Sequence, residues 1–203
     1  MSFSVEEIGV LKETVKTRLS EKRFLHTLGV LQAAEKLAGY YAPEYIPEVK
    51  VAALLHDITK ELPFDVQCEL INDSTFKISK TDFENPAILH SFSAPTLIKR
   101  DFPKFATEKV LSAVFNHTVG SPDMSVLDEI IFLADFIEET RKYDSCVNLR
   151  NFVWCNITDN LQSNLKLLHT ACVKAIDFTI LNLIENKKKH KYKKHIDKKF
   201  IIE

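Results

Sequence analysis

Residues Val51–Lys60 read VAALLHDITK, five apolar residues set directly ahead of an adjacent His56 and Asp57. An apolar run of this kind on a helix points into a core. Histidine and aspartate rarely sit there unless something offsets their desolvation. The carboxylate is the harder case, because a buried anion needs a hydrogen-bonded cation or a metal ion beside it. Taken alone, the pair reads more readily as a helix end where both groups reach water. Its weight comes from the rest of the chain.

At 203 residues the chain is long enough for one domain with a substantial core. Apolar residues make up 45% and recur at helical spacing, with only 4 Gly and 7 Pro, and no succession of strands and turn pairs is present. The fold class expected is all-α. The N-terminus, MSFSVEEIGV, is acidic and lacks the apolar segment of a signal peptide. No apolar stretch is read as long enough to span a membrane, so the expectation is a cytoplasmic protein with no membrane partner. Cys68, Cys146, Cys155 and Cys172 form no C-x-x-C pair and read as reduced thiols. Lys187–Lys199 holds eight lysines and one aspartate, a net +7, which leaves the remainder at −8 of the total −1. That asymmetry argues against nucleic-acid binding by the core domain. The chain divides into a domain over residues 1–186 and a basic tail over 187–203.

Helical spacing places a first helix over Val5–Leu19 and a second, capped by Ser20, to about Tyr40. The inward stripe of the second is His26, Val30, Ala33, Ala34 and Leu37. The helix carrying His56 and Asp57 starts near Pro47. A short helix from Pro63 to about Asn72 follows, then a polar irregular stretch from Asp73 to Pro86. His90 opens a helix that has Pro95 in its first turns, and Thr107–His117 forms another. A helix capped by Ser125 or Asp123 runs to about Glu139 and carries Asp135 within IIFLADFI. Helices at Val147–Cys155 and about Thr158–Glu185 complete the body, with His169 read as packing.

His26, His90 and His117 thus lie on apolar faces of three different helices, and Asp135 inside an apolar run. Four such histidines and two such carboxylates call for a shared cation. Neutral imidazole and carboxylate are a normal ligand set for divalent transition metals. Six ligands exceed what one catalytic ion with an open position uses, so two ions are expected; without cysteine among them, a structural zinc site is disfavoured.

The order H…HD…H…H…D, in the words RFLHTLGV at Arg23, LLHDITK at Leu54, LH at Leu89, NHTVG at Asn116 and LADFIEETR at Leu133, resembles the HD-domain metal-dependent phosphohydrolases. Within them it is most similar to the YqeK family, the symmetrical bis(5'-nucleosyl)-tetraphosphatases. The resemblance implies an all-α fold, a site of two divalent metals with iron as the usual ion, and cleavage of diadenosine tetraphosphate into two ADP. By position it implies that His26, His56, Asp57 and Asp135 bind one metal and that Asp57, His90 and His117 bind the second. Manganese and zinc suit the same donors. Lys60 and Arg23 lie one turn from Asp57 and His26 and are candidates to stabilise charge on the transferred phosphoryl group, with Thr118 and Arg141 as further substrate contacts. The substrate expected is a nucleotide polyphosphate.

Three positions depart from the family's pattern. Ser91 follows His90 where glycine is usual, Glu129 replaces a lysine, and Glu139 stands where proline follows Ile-Glu. The alternatives are another nucleotide phosphohydrolase, such as a nucleoside monophosphate phosphatase, or a nucleotide-binding regulatory module without turnover.

Overall fold

The computed structural model describes residues 3–199 except 75, 77 and 84; of residues 80, 81 and 188–199 it describes the backbone alone. The elements are α1 Val5–Arg18, α2 Glu21–Tyr41, α3 Ile46–Leu55, α4 Phe64–Asn72, α5 Lys80–Phe83, α6 Leu89–Asp101, α7 Glu108–Asn116, α8 Val126–Ile137, α9 Asp144–Asn156 and α10 Leu161–Lys199, with no strand among the described residues. The all-α expectation holds.

At the centre lies α3, whose Val49 and Val51–Leu55 are fully buried. It is apolar on all sides because α1, α2, α7 and α8 pack around it. α2 also lies along α8, and α6 packs on α4 and α7. Ser20 caps α2 and Thr107 caps α7. Of the two cap candidates for α8, the structure uses Ser125, in a reciprocal pair with Asp128. The Asp128 carboxylate also accepts from Ser112 Oγ at 3.0 Å, which ties α8 to α7.

Several boundaries differ from those read in the sequence. α3 stops at Leu55, one residue short of His56. The chain tightens there into i→i+3 bonds, Ile58 N–H to Leu55 O and Lys60 N–H to Asp57 O, which leaves His56, Asp57 and Lys60 on a turn rather than inside a helix. Pro95 sits within α6, beyond its first turn. α9 begins three residues earlier than expected.

The last helix departs most. It continues past Glu185, and the tail expected from residue 187 has side chains that lie outside the described residues from 188 onward. Its segment Leu161–Lys187 is also long and apolar enough to cross a membrane by length and composition, with an 18-residue window of mean hydropathy 1.5. The sequence reading overlooked it because Lys174 and Asp177 interrupt the apolar run without lowering its average much. Leu168, Ala171, Cys172 and Ala175 of this segment are buried, and α10 packs on α8, α9 and α2. Leu181 and Leu183, farther along, are exposed.

Removing the α8 cap tests how much the α7–α8 corner contributes. Ser125→Ala is expected to cost about 1 kcal/mol of unfolding free energy, read as a lower urea midpoint at unchanged m-value.

Candidate metal centre

Four imidazoles and two carboxylates converge where α2, the turn after α3, α6, α7 and α8 meet. Their donor atoms fall into two groups, His26, His56 and Asp135, and Asp57, His90 and His117, with all atoms of each group within 4.8 Å of one another. Asp57 stands between them. Its Oδ2 is 3.4 Å from His56 Nε2 and 3.6 Å from His26 Nε2. Its Oδ1 is 3.3 Å from His90 Nε2 and 3.7 Å from His117 Nε2.

The tautomers follow from the partners. His56 Nδ1 is 2.7 Å from Ala53 O and His117 Nδ1 is 2.6 Å from Val114 O. A carbonyl only accepts, so each Nδ1 carries the proton and each Nε2 presents a lone pair to the centre. His26 Nδ1 lies 3.1 Å from Glu138 Oε1, which turns its Nε2 toward the centre as well. A carboxylate or carbonyl behind the imidazole is the usual support of a metal-bound histidine. His90 is held by its backbone: Thr59 Oγ donates to His90 O at 2.8 Å, and Ser93 Oγ donates to Thr59 Oγ at 2.8 Å.

Both carboxylates are paired. Arg23 Nη1 is 2.7 Å from Asp57 Oδ2, and Arg141 Nη2 is 2.6 Å from Asp135 Oδ1. The sequence left open whether a cation or a metal offsets these charges, and the structure supplies an arginine to each. The arginines do nothing for the imidazoles. His26 Nε2 and His56 Nε2 are buried without a hydrogen bond, although His26 Nε2 is 3.0 Å from Asp135 Oδ1 in a poorly aligned contact. His90 Nε2 and His117 Nε2 stand 3.1 Å apart. Inward imidazole nitrogens, two of them buried without a partner, fit a Lewis acid, so the residues present suit divalent metal.

At the two carboxylates and at His90 the electrostatics agree with that donor set. Burial pushes Asp57 and Asp135 upward, but the imidazoles around Asp57, and Arg141 and His26 around Asp135, hold both well below the usual aspartate value. Burial, with His117 beside it, holds His90 well below the usual histidine value. Burial opposes a charge on His26, yet the adjacent Asp135 and Glu138 carboxylates raise its pKa to about 9, so its Nε2 would have to give up a proton to bind an ion.

Lys60 reaches this centre, with Nζ 3.1 and 3.2 Å from the two ring nitrogens of His90. Thr118 Oγ is 3.0 Å from His90 Nε2. Gly120, at φ 76°, closes α7 and turns the chain there. Arg23, Lys60, Thr118 and Arg141 all line one cleft with Asp57, His90, His117 and Asp135.

The three departures lie elsewhere. Glu129 is buried against His169 Nδ1 at 2.8 Å, and the His169 side chain is 71% exposed. His169 is therefore a hydrogen-bond partner of Glu129 at the surface rather than the packing residue expected. Glu139 is exposed, and Ser91 Oγ donates to Ile88 O. None of the three lines the cleft.

Sequence reasoning missed Glu138. Its side chain is fully buried and accepts from Thr140 N–H at 2.6 Å as well as holding His26. Burial opposes its charge, and the hydrogen bonds from His26 and Thr140 outweigh it, so its pKa lies below the usual glutamate value. Arg150, also missed, is buried and donates to the Ile137, Glu138 and Arg141 carbonyls, fixing the turn that carries them. The one signal for Glu138 was Gly29, one turn past His26: a Cβ there would lie 2.4 Å from Glu138 Oε2.

Residues 23–139 match the HD domain family. The chain belongs to the HD-domain family. It is 31% identical over 159 residues to a protein of Halalkalibacterium halodurans named symmetrical bis(5'-nucleosyl)-tetraphosphatase, covering 77% of this chain and 82% of that one. A Bacillus subtilis protein of the same name is 28% identical over 152 residues, 75% of this chain and 80% of that one. The crystal structure of a Clostridium acetobutylicum protein, described as a predicted HD superfamily hydrolase involved in NAD metabolism, superposes with a TM-score of 0.73. It is 29% identical and covers 92% of this chain and 90% of that one. The HD-domain membership and the buried cluster together identify a divalent-metal-binding protein.

Gly29→Ala is expected to displace Glu138 from His26 and to weaken metal binding by roughly 10–100-fold, the usual cost of losing such a support. Chelator competition followed by elemental analysis reads the change directly.

Proposed function

We propose that this HD-domain protein is a metal-dependent hydrolase of dinucleoside tetraphosphates that cuts diadenosine tetraphosphate between its middle phosphates to give two ADP. The observation that carries the reading is Asp57, set with one oxygen toward each of two imidazole groups, beside Lys60, Arg23 and Arg141. His26, His56, Asp57 and Asp135 hold one ion, and Asp57, His90 and His117 hold the other. Iron is the metal assigned, and manganese or zinc suits the same donors. The relatives' names support the substrate class. The hydrolase occupies residues 1–186, with a basic extension beyond, and works in the cytoplasm.

Bound at these donors, two divalent ions supply a water of lowered pKa and hold a phosphoryl oxygen. The chain's own residues do the rest. Lys60 is half-buried at the mouth, where burial lowers its pKa while Asp57 and Asp135 pull it back up. Its ammonium meets the charge that grows on the phosphoryl oxygens. Arg23 and Arg141 are always charged and carry fork-shaped donors suited to phosphate. Each already faces the cleft through its carboxylate partner. Thr118 Oγ, next to His90, offers a hydroxyl to the substrate on the opposite wall.

Two predictions follow from these roles. Removing the bound metal with a chelator lowers the melting temperature, because binding to the native state alone contributes about 2.7 kcal/mol at one hundred times Kd; an unchanged melting point after verified metal loss counts against the ligand set. In turnover, the metal-loaded enzyme in ¹⁸O-water gives ADP as its only nucleotide, with label in half of the molecules. Asp57→Ala abolishes this reaction, and Lys60→Ala keeps its metal while losing on the order of 10²–10³ in kcat. AMP with ATP as products, release of phosphate from a nucleoside monophosphate, or tight nucleotide binding without turnover each overturns the reading.

A further inference from the structure

The donor cluster opens on two cavities that share a wall. The larger, about 960 Å³, reaches Asp57, Lys60, His90 and His117. Phe132, Phe136, Phe178 and Leu181 line it farther out. The smaller, about 550 Å³, meets the cluster at His26 and Glu138. Arg23, Arg141 and Tyr143 line both.

The two differ in chemistry. In the larger, Arg23, Lys60 and Arg141 face Asp57, Asp135, Asp144 and Glu185, beside an apolar wall that suits a base and a ribose. Phe136 and Phe178 are both half-buried and packed on the core, so their rings are held in place. The smaller gathers Lys22, Arg23, Arg141 and Lys142 against one carboxylate, Glu138. That carboxylate is already engaged by His26 and Thr140. The Arg23 Nε–H is buried without a partner. Lys22 is exposed, and Lys142 Nζ donates to Glu139 O at 2.8 Å. Four cations in one cleft stand out on a chain that carries −8 outside residues 187–199. They match a polyanion rather than a base.

Cutting a dinucleoside tetraphosphate in its middle leaves a nucleoside diphosphate on each side of the broken bond, and both halves need a place. Resting on the function proposed above, we infer that the larger cavity seats one nucleoside diphosphate half with its base against Phe136 and Phe178, while the smaller cavity binds the diphosphate of the other half on Lys22 and Lys142. The P–O bond to the central bridging oxygen breaks. The water oxygen joins the phosphorus of the half in the larger cavity, a proton is released, and the bridging oxygen departs with the half held by Lys22 and Lys142. Neither lysine touches the cluster, so both act on binding of that half rather than on bond cleavage. The second base meets little in the smaller cavity except Tyr143, 73% exposed.

The test is Lys22→Glu combined with Lys142→Glu in the full-length, metal-loaded protein. The KM for diadenosine tetraphosphate rises by at least about tenfold, since losing even one charged phosphate contact is on that scale. Metal content and melting temperature stay as in the wild type, and kcat changes by no more than about twofold. Titration calorimetry with ADP finds two molecules bound per wild-type chain and one per variant chain. Lys22→Arg with Lys142→Arg restores the KM and the second ADP. A wild type that cleaves the tetraphosphate and binds one ADP, with a variant of unchanged KM, overturns this inference alone. A wild type that leaves the tetraphosphate intact overturns the function beneath it as well.

Discussion

Three imidazoles turned toward the two halves of one buried cluster by acceptors behind them constrain everything else in this structure. The Ala53 and Val114 carbonyls and the Glu138 carboxylate take the Nδ1 protons of His56, His117 and His26. An inward Nε2 cannot turn to water without surrendering that bond, and a buried polar group left unmet is costly. The two acceptors on the chain itself lie three residues back, at the ends of α3 and α7, so helix termination and ligand orientation are one event. α3 ends where it does because His56 bonds back to Ala53, and the i→i+3 turn that follows delivers Asp57 and Lys60 together.

Arg23 and Arg141 belong to the same economy of charge. Each neutralises one buried carboxylate, and each lies on the boundary of both cavities. The surplus of positive charge lies on the side of the smaller cavity, where Lys22 and Lys142 join the two arginines against Glu138 alone. An acidic body thus carries one cationic cleft, local enough to escape notice in the overall charge of −1.

The cluster was legible because its members interrupt apolar stripes: His26 in the inward face of α2, His56 after five apolar residues, Asp135 inside IIFLADFI. Polar residues in such places need a reason, and periodicity alone exposes them. The supports were not legible, since they depend on contacts across the fold. Glu138 sits in IEET, which reads as an exposed helix end, and only the packing of α2 on α8 buries it. Arg150 lies in a polar stretch of α9 and shows its purpose only when the three carbonyls it collects are in view. The partner of Glu129 is 40 residues away on α10, which no local pattern relates to it. The length of α10 was missed for a different reason, because two charges broke the apolar run as read by eye while its average stayed high.

Gly29 and Glu138 meet more closely than any side chain at 29 permits, since even a methyl group would lie 2.4 Å from the carboxylate oxygen. Residue 29 is not in a backbone conformation reserved for glycine, so its backbone would accept alanine and the restriction comes wholly from the partner 109 positions away. The two positions are therefore coupled: a side chain at 29 would push the Glu138 carboxylate aside and loosen the acceptor behind His26, so a change on one helix is felt through its neighbour.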